Sequence, residues 1–309
     1  MKKTILIALA ALSLICASSC QKDQDGVYNP KKKISKIFLS NEVTLDARGY
    51  MREQWKWDDN KLVSKTIFYF SGDTAALYSY SYDGKRLASI TYKDFSEQES
   101  SGYTSKTEFS YDGKKLVQAN YYLDGHLRGT ADYTHTDGKI TEIKFTYPDD
   151  SEGTKSGAFD SDEMLNMIMP LDIQASDFCH QINAREKSIN PIVKVKITWD
   201  GNNIATMESD YNGSILTNVF TYDKKRNPFC GMSVLWLNDL NAEGYYLGST
   251  FKGFDRNNML TCEYNNVTYN STMSARCTYT YDGNYPITCI IDVISGAGYE
   301  ARYDYEYLN

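Results

Sequence analysis

The sequence predicts a mostly β protein, a long coiled antiparallel meander of hairpins with a short helical insertion. Three observations predict it. One motif recurs along the chain: aromatic, any residue, aromatic, Asp, often Gly, then a polar residue or two and an aliphatic. From Asp58 its copies follow at intervals of 23 to 32 residues, apart from one gap of 63, and a period of this size marks a repeat architecture. The 309 residues include 26 Tyr, 12 Phe and 4 Trp but only 6 Pro, a composition that suits strands.

The chain opens with Met1, Lys2 and Lys3, then an apolar run from Ile5 to Ile15, then small residues up to Cys20. A positive start, a short apolar run and a small-residue cut site are the requirements of a secretory signal peptide, assigned here to residues 1–19. The run is too short for a permanent span, which needs about 20 residues. Ala17-Ser18-Ser19-Cys20 resembles the bacterial lipobox, with Ala where Leu is usual, and the resemblance implies that Cys20 carries the lipid. An ordinary signal peptide cut nearby is the alternative. Residues 20–33 then form a lipidated tether. Gln21-Lys22-Asp23-Gln24-Asp25-Gly26 resembles the acidic tag that takes some Gram-negative lipoproteins to the cell surface, and a plain flexible tether explains it too.

Residues 34–309 make the β domain. Clear copies of the motif are Trp55-Lys56-Trp57-Asp58, Tyr80-Ser81-Tyr82-Asp83-Gly84, Phe109-Ser110-Tyr111-Asp112-Gly113, Phe220-Thr221-Tyr222-Asp223 and Tyr279-Thr280-Tyr281-Asp282-Gly283. Partial copies stand at Asp137-Gly138, Asp200-Gly201 and Phe254-Asp255. Aromatics two apart share one face of a strand, and Asp-Gly supplies the positive φ of a tight hairpin turn. After the turn the first aliphatic step is three residues, as in Leu87 to Ile90 and Ile140 to Ile143. A regular strand would put such a pair on opposite faces, so a bulge is expected just past each turn, with cross-strand aromatic pairs along the sheet.

These hairpins resemble the YD-repeat (RHS-like) β proteins, and more closely a group of uncharacterised Gram-negative lipoproteins. The resemblance speaks for architecture and not for activity. About eight copies are too few for the hollow shell of the large YD-repeat toxins, and no toxin-like tail follows.

The gap of 63 residues holds the helical insertion, at about 160–187. Asp160-Ser161-Asp162-Glu163 reads as an N-cap with early acids, Met164, Leu165, Met167 and Ile168 as an apolar face, and Pro170 as its stop. Ser176-Asp177 could start a second helix, and both would cover the sheet.

Catalytic signals are absent from the motifs. His126, His135 and His180 share no ligand spacing, and no HExxH, phosphate loop, GxGxxG or GxSxG occurs. Asp149, Asp150, Glu152, Asp160, Asp162 and Glu163 lack EF-hand order and read as a solvated loop. No catalytic, cofactor or metal residue is assigned. Of the cysteines after Cys20, Cys262 and Cys277 are the disulfide candidates, because a hairpin turning near Tyr269-Asn270 would set them opposite one another; buried free thiols are the alternative.

The formal charge of −7 argues against nucleic acid as a partner. The sequence therefore reads as an outer-membrane lipid-anchored protein, at the cell surface or facing the periplasm. Its sheet would be a non-catalytic scaffold for a glycan or protein, attached to the membrane by its lipid. A polysaccharide hydrolase with paired carboxylates in a sheet groove is the alternative.

Overall fold

The computed structural model describes residues 27–41, 48–95, 104–146, 193–211, 214–231, 255–267, 270–294 and 299–308. The strands are β1 (Ile34–Asn41), β2 (Tyr50–Asp58), β3 (Lys61–Phe68), β4 (Thr74–Asp83), β5 (Arg86–Asp94), β6 (Thr104–Asp112), β7 (Lys115–Leu123) and β8 (His126–Thr136). They continue as β9 (Lys139–Thr146), β10 (Val193–Asp200), β11 (Asn203–Tyr211), β12 (Ser214–Tyr222), β13 (Met259–Asn266), β14 (Ser271–Asp282), β15 (Tyr285–Ile294) and β16 (Tyr299–Tyr307). Every strand pairs antiparallel with its neighbours in sequence, and β1 pairs with β16.

That last pairing corrects the expected fold. The sheet is a closed barrel of sixteen strands, not a coiled meander with two free edges. Closure comes from one more hairpin unit, split between the chain ends. Tyr305 and Tyr307 on β16 are its paired aromatics, and Ile34 and Ile37 on β1 are the aliphatics three apart that follow a turn elsewhere. Asp255 also departs from expectation, since it lies outside any hairpin turn. No helix occurs among the described residues; the helical insertion expected at about 160–187 lies outside them, as do residues 1–19 and Cys20.

The local reading of each hairpin is what the structure shows. The turns at Gly84, Gly113, Gly201 and Gly283 have φ of 56° to 60°, and Asp59 and Asp137 also take positive φ. The ladder slips by one residue beside each motif aromatic: Tyr82 faces Leu87 while Ser81 faces Ser89, leaving Ala88 as the extra residue. The same slip falls beside Trp57, Tyr111, His135, Trp199, Tyr222, Tyr281 and Tyr307. One bulge per unit, repeated eight times, bends the wall until it closes.

Alternation sorts the two faces. Leu62, Ile90, Ile140, Val195, Ile204 and Cys289 are 0% exposed and point inward with Tyr78, Tyr92 and Tyr264. Tyr78 and Tyr92 stand opposite one another with ring centroids 4.9 Å apart. A barrel of 16 to 18 strands usually encloses a water channel; here inward side chains from the whole circumference are dry. The outward positions carry Lys56, Lys106, Ser110, Thr134, Lys194 and Thr198, all exposed. A barrel wall in contact with lipid tails is apolar outside and polar inside. This wall has the opposite arrangement, so the core lies within the ring and its outer face is built for water.

Candidate functional site

Six tight turns, the start of β1, the end of β16, and residues 223–231 with 255–258 gather at one end of the barrel, termed the turn end. There the second aromatic of each motif reaches back to the preceding unit. Tyr82 Oη donates to the Leu62 carbonyl at 2.8 Å, Tyr111 Oη to Leu87 at 2.8 Å and Tyr307 Oη to Pro286 at 2.7 Å. Trp57 Nε1 donates to Ile34 at 2.7 Å and Trp199 Nε1 to Ile140 at 2.8 Å. His135 Nε2 lies 2.7 Å from the Leu116 carbonyl and must carry the ring proton to donate there. Each acceptor belongs to the first residue after a turn or entry that packs inward. Six of the eight units are joined by this rule.

The rule changes on both sides of the β12–β13 connection. Where Tyr222 should meet the Ile204 carbonyl, Asp255 is inserted: its Oδ1 accepts from the Ile204 amide at 2.7 Å, and the Tyr222 hydroxyl bonds to the same carboxyl group. Tyr281 donates instead to Asp223 Oδ2, while Tyr279 Oη takes the Met259 carbonyl at 2.9 Å. Asp223 also accepts from the amides of Lys225 and Asn258, at 2.9 and 3.0 Å, and from Asn258 Nδ2 at 3.0 Å. Asn227 clamps the two chain segments together, donating from Nδ2 to the Asp255 carbonyl at 2.9 Å and from its amide to the Arg256 carbonyl at 3.0 Å. This polar knot is the candidate site.

Asp255 is 4% exposed, and burial pushes its carboxyl pKa up to about 8 against the pull of the Ile204 amide and the Tyr222 hydroxyl. A protonated acid in a dry place is what a general acid needs. The space beside it is small, however: Phe220, Phe229, Asn258, Met259 and Tyr279 help to line a cavity of about 20 Å³, room for about one water. Phe229 fills the mouth, its ring 6.1 Å from Trp55 and 6.0 Å from Tyr305. Tyr28, ahead of β1, seals the same end, its hydroxyl donating to the Pro228 carbonyl at 2.9 Å. Chemically the knot can hold a proton and a water and can fix the plug; no sugar ring fits.

Cations cover the aromatic ring from outside. Lys61 Nζ lies 5.4 Å from the Tyr82 ring centroid, Lys33 5.8 Å from Trp57, Lys139 5.4 Å from Trp199 and Lys225 5.5 Å from Tyr281. Several also bond to the next turn: Lys33 Nζ to the Asp59 carbonyl at 2.6 Å, Lys225 to Gly283 at 3.0 Å and Lys139 to Gly201. Lys32 pairs with Asp282 at 2.7 Å, which lowers the Asp282 pKa.

The opposite end, termed the loop rim, is different. Phe70, Phe95, Leu127 and Val267 stand there at strand ends, with Phe70 84% exposed. Tyr50 packs edge-on against Phe70 at 5.4 Å, and Lys93 lies 5.0 Å from the Phe95 centroid.

Other residues singled out from the sequence are spread apart. His126 is exposed at the loop rim while His135 is locked in the aromatic ring; His180 and the acids from Asp149 to Glu163 lie outside the described residues. Cys262 and Cys277 both face inward as free thiols. The β13–β14 register sets Cys262 opposite Ala275, two residues short of Cys277. Asp255 and Asn258 were missed as a site. A signal did exist, because Tyr222-Asp223 is followed by Lys224 and Lys225, where the other motif turns have Gly or the Asp59-Asn60 pair that tolerates positive φ.

No family model matches the chain, and no curated protein matches it. Two solved structures align along most of it. One is a porin-like protein from Bacteroides vulgatus ATCC 8482, at 13% identity, covering 90% of this chain and 99% of that one, with a TM-score of 0.43. The other is a porin-like protein from Bacteroides uniformis ATCC 8492, at 12% identity, covering 92% and 100%, with a TM-score of 0.41. Likeness at that level carries no argument about function.

Proposed function

We propose that this chain is a non-catalytic cell-envelope lipoprotein whose barrel presents a binding rim. The apolar loop rim carries the reading. Phe70, Phe95, Leu127 and Val267 project from strand ends into water, where rings and aliphatic groups can grip a protein or stack on a glycan. Tyr28 supports the orientation: it fixes the chain's approach at the turn end, so a lipid on Cys20 tethers that end and leaves the rim pointing away. The location that follows is the outer membrane. The hydrolase alternative gains nothing here, since the one carboxyl with a raised pKa among the described residues adjoins a cavity of only about 20 Å³.

Screening immobilised glycans and cross-linking intact envelopes test the reading, each with the chain and with a Phe70→Ser, Leu127→Ser variant. Capture of one glycan class or one protein, lost in the variant while the fold persists, is the expected result. Capture that the variant retains, or none by either route, overturns it.

A further inference from the structure

We propose that the turn end is a cationic platform that docks the barrel onto an anionic phospholipid surface. Charge is divided unevenly over this molecule. The turn end, counted as residues 31–33, the tight turns with the residues flanking them, 223–226 and 255–258, holds 13 Lys and Arg against 9 Asp; the other described residues hold 13 basic against 14 acidic. Among the described residues the positive excess thus lies at one end. Lys31, Lys85, Lys114, Lys224, Arg226 and Arg256 are exposed there. Arg256 also takes part in the knot through its amide.

The occupant follows from where the chain enters. Lys31, Lys32 and Lys33 lie between buried Tyr28 and the start of β1, so the tether leaves from the middle of the positive end. Eight residue steps lead from Cys20 to Tyr28, at most about 28 Å of extended chain. An anchor at Cys20 therefore holds this end close to the headgroups, where each Lys or Arg within a Debye length of about 8–10 Å feels their negative potential. A basic patch beside the anchor adds electrostatic attraction to anionic headgroups. On the barrel wall, by contrast, Lys106 and Lys196 are each paired with a Glu. This inference rests on the tether of the reading above, but not on the rim.

The chain from Gln21 onward contains all sixteen strands and no acyl group, and it is the form to test. It is spun with phosphatidylcholine vesicles, with and without about 30% phosphatidylglycerol. Cosedimentation with the anionic vesicles only, falling at least about tenfold as salt rises from about 0.05 to 0.5 M, is expected. Replacing Lys31, Lys85, Lys114 and Lys224 by Gln should abolish it, whereas replacing Lys56, Lys106, Lys194 and Lys196 by Gln, an equal change in net charge on the wall, should leave most of it. Equal loss in both variants, binding to neutral vesicles, or equal binding to polyglutamate would overturn the platform. Loss of vesicle binding with rim capture intact would remove the platform alone.

Discussion

Tyr82 on β4 donates its hydroxyl to the carbonyl of Leu62 on β3, 2.8 Å away, across the boundary between two hairpin units. The bulge beside Tyr82 makes this reach possible by advancing the ring toward the barrel end. The hydroxyl is held in its protonated form, its pKa pushed up to about 12 by burial. Tyr82→Phe keeps the ring and removes the donor. A loss of about 1 kcal/mol in urea unfolding is expected, the usual net worth of one such bond. No loss would mean that the ties are incidental to the ring.

Ile140 is 0% exposed inside the barrel, and its carbonyl serves Trp199. Ile140→Ala leaves the backbone tie in place but opens a cavity, which should cost about 2–5 kcal/mol. Equilibrium denaturation of this variant beside Trp199→Phe separates packing from hydrogen bonding: the alanine change should be the larger.

Asp255 gives the stability a definite pH dependence. Its folded pKa is raised to about 8 from 3.8. Below the unfolded value both states hold the proton and nothing is lost. Between the two values the unfolded chain gives up its proton while the folded one keeps it, so stability falls as pH rises, and the fall ends near pH 8. Asp255→Asn keeps an acceptor for the Ile204 amide and cannot ionise. Denaturation midpoints of the two proteins should converge near pH 4 and diverge toward pH 8, with the Asn form the more stable; parallel curves would refute a buried neutral acid.

Burial pushes the Cys262 thiol up to about 12, which leaves almost no thiolate at neutral pH. Cys262, Cys277 and Cys289 should resist a thiol reagent in the folded protein and react within minutes in denaturant, with partly exposed Cys230 reacting first. Mass mapping under non-reducing conditions that finds Cys262 joined to Cys277 would contradict the register that sets Cys262 against Ala275.

Two glycines should respond very differently to alanine. At Gly84 a Cβ meets nothing within 4 Å, so Gly84→Ala bears only the strain of φ +59°, about 1–2 kcal/mol. At Gly49 the added carbon would lie 1.7 Å from the Leu39 carbonyl oxygen, a backbone atom that cannot swing aside. Thermal melts should show Gly49→Ala as the more damaging, through the β1–β2 pairing.

The motif hairpins at Asp58, Asp83, Asp112, Asp137, Asp200 and Asp282 were legible in the sequence because their determinants are local. Asp-Gly sets a turn, Tyr80 and Tyr82 set a face, and the step from Leu87 to Ile90 sets a bulge, all within about a dozen residues. Closure was not legible by the same means, since its two halves, Tyr305-Glu306-Tyr307 and Ile34 to Ile37, stand at opposite ends of the chain and neither half is a copy alone. Reading them together supplies the missing eighth unit. The knot was hidden for a related reason: Asp223 looked like another turn and Asp255 like a partial repeat, and only the bonds of Asp223 to Asn258 and of Asn227 to Asp255 make the two segments a clasp.

Pairing the first strand with the last has a kinetic consequence for biogenesis. The partner of β1 is β16, so the ring stays incomplete until Tyr299–Tyr307 has been made, with two open sheet borders available to other chains. A product cut short before Tyr299 would keep both borders permanently.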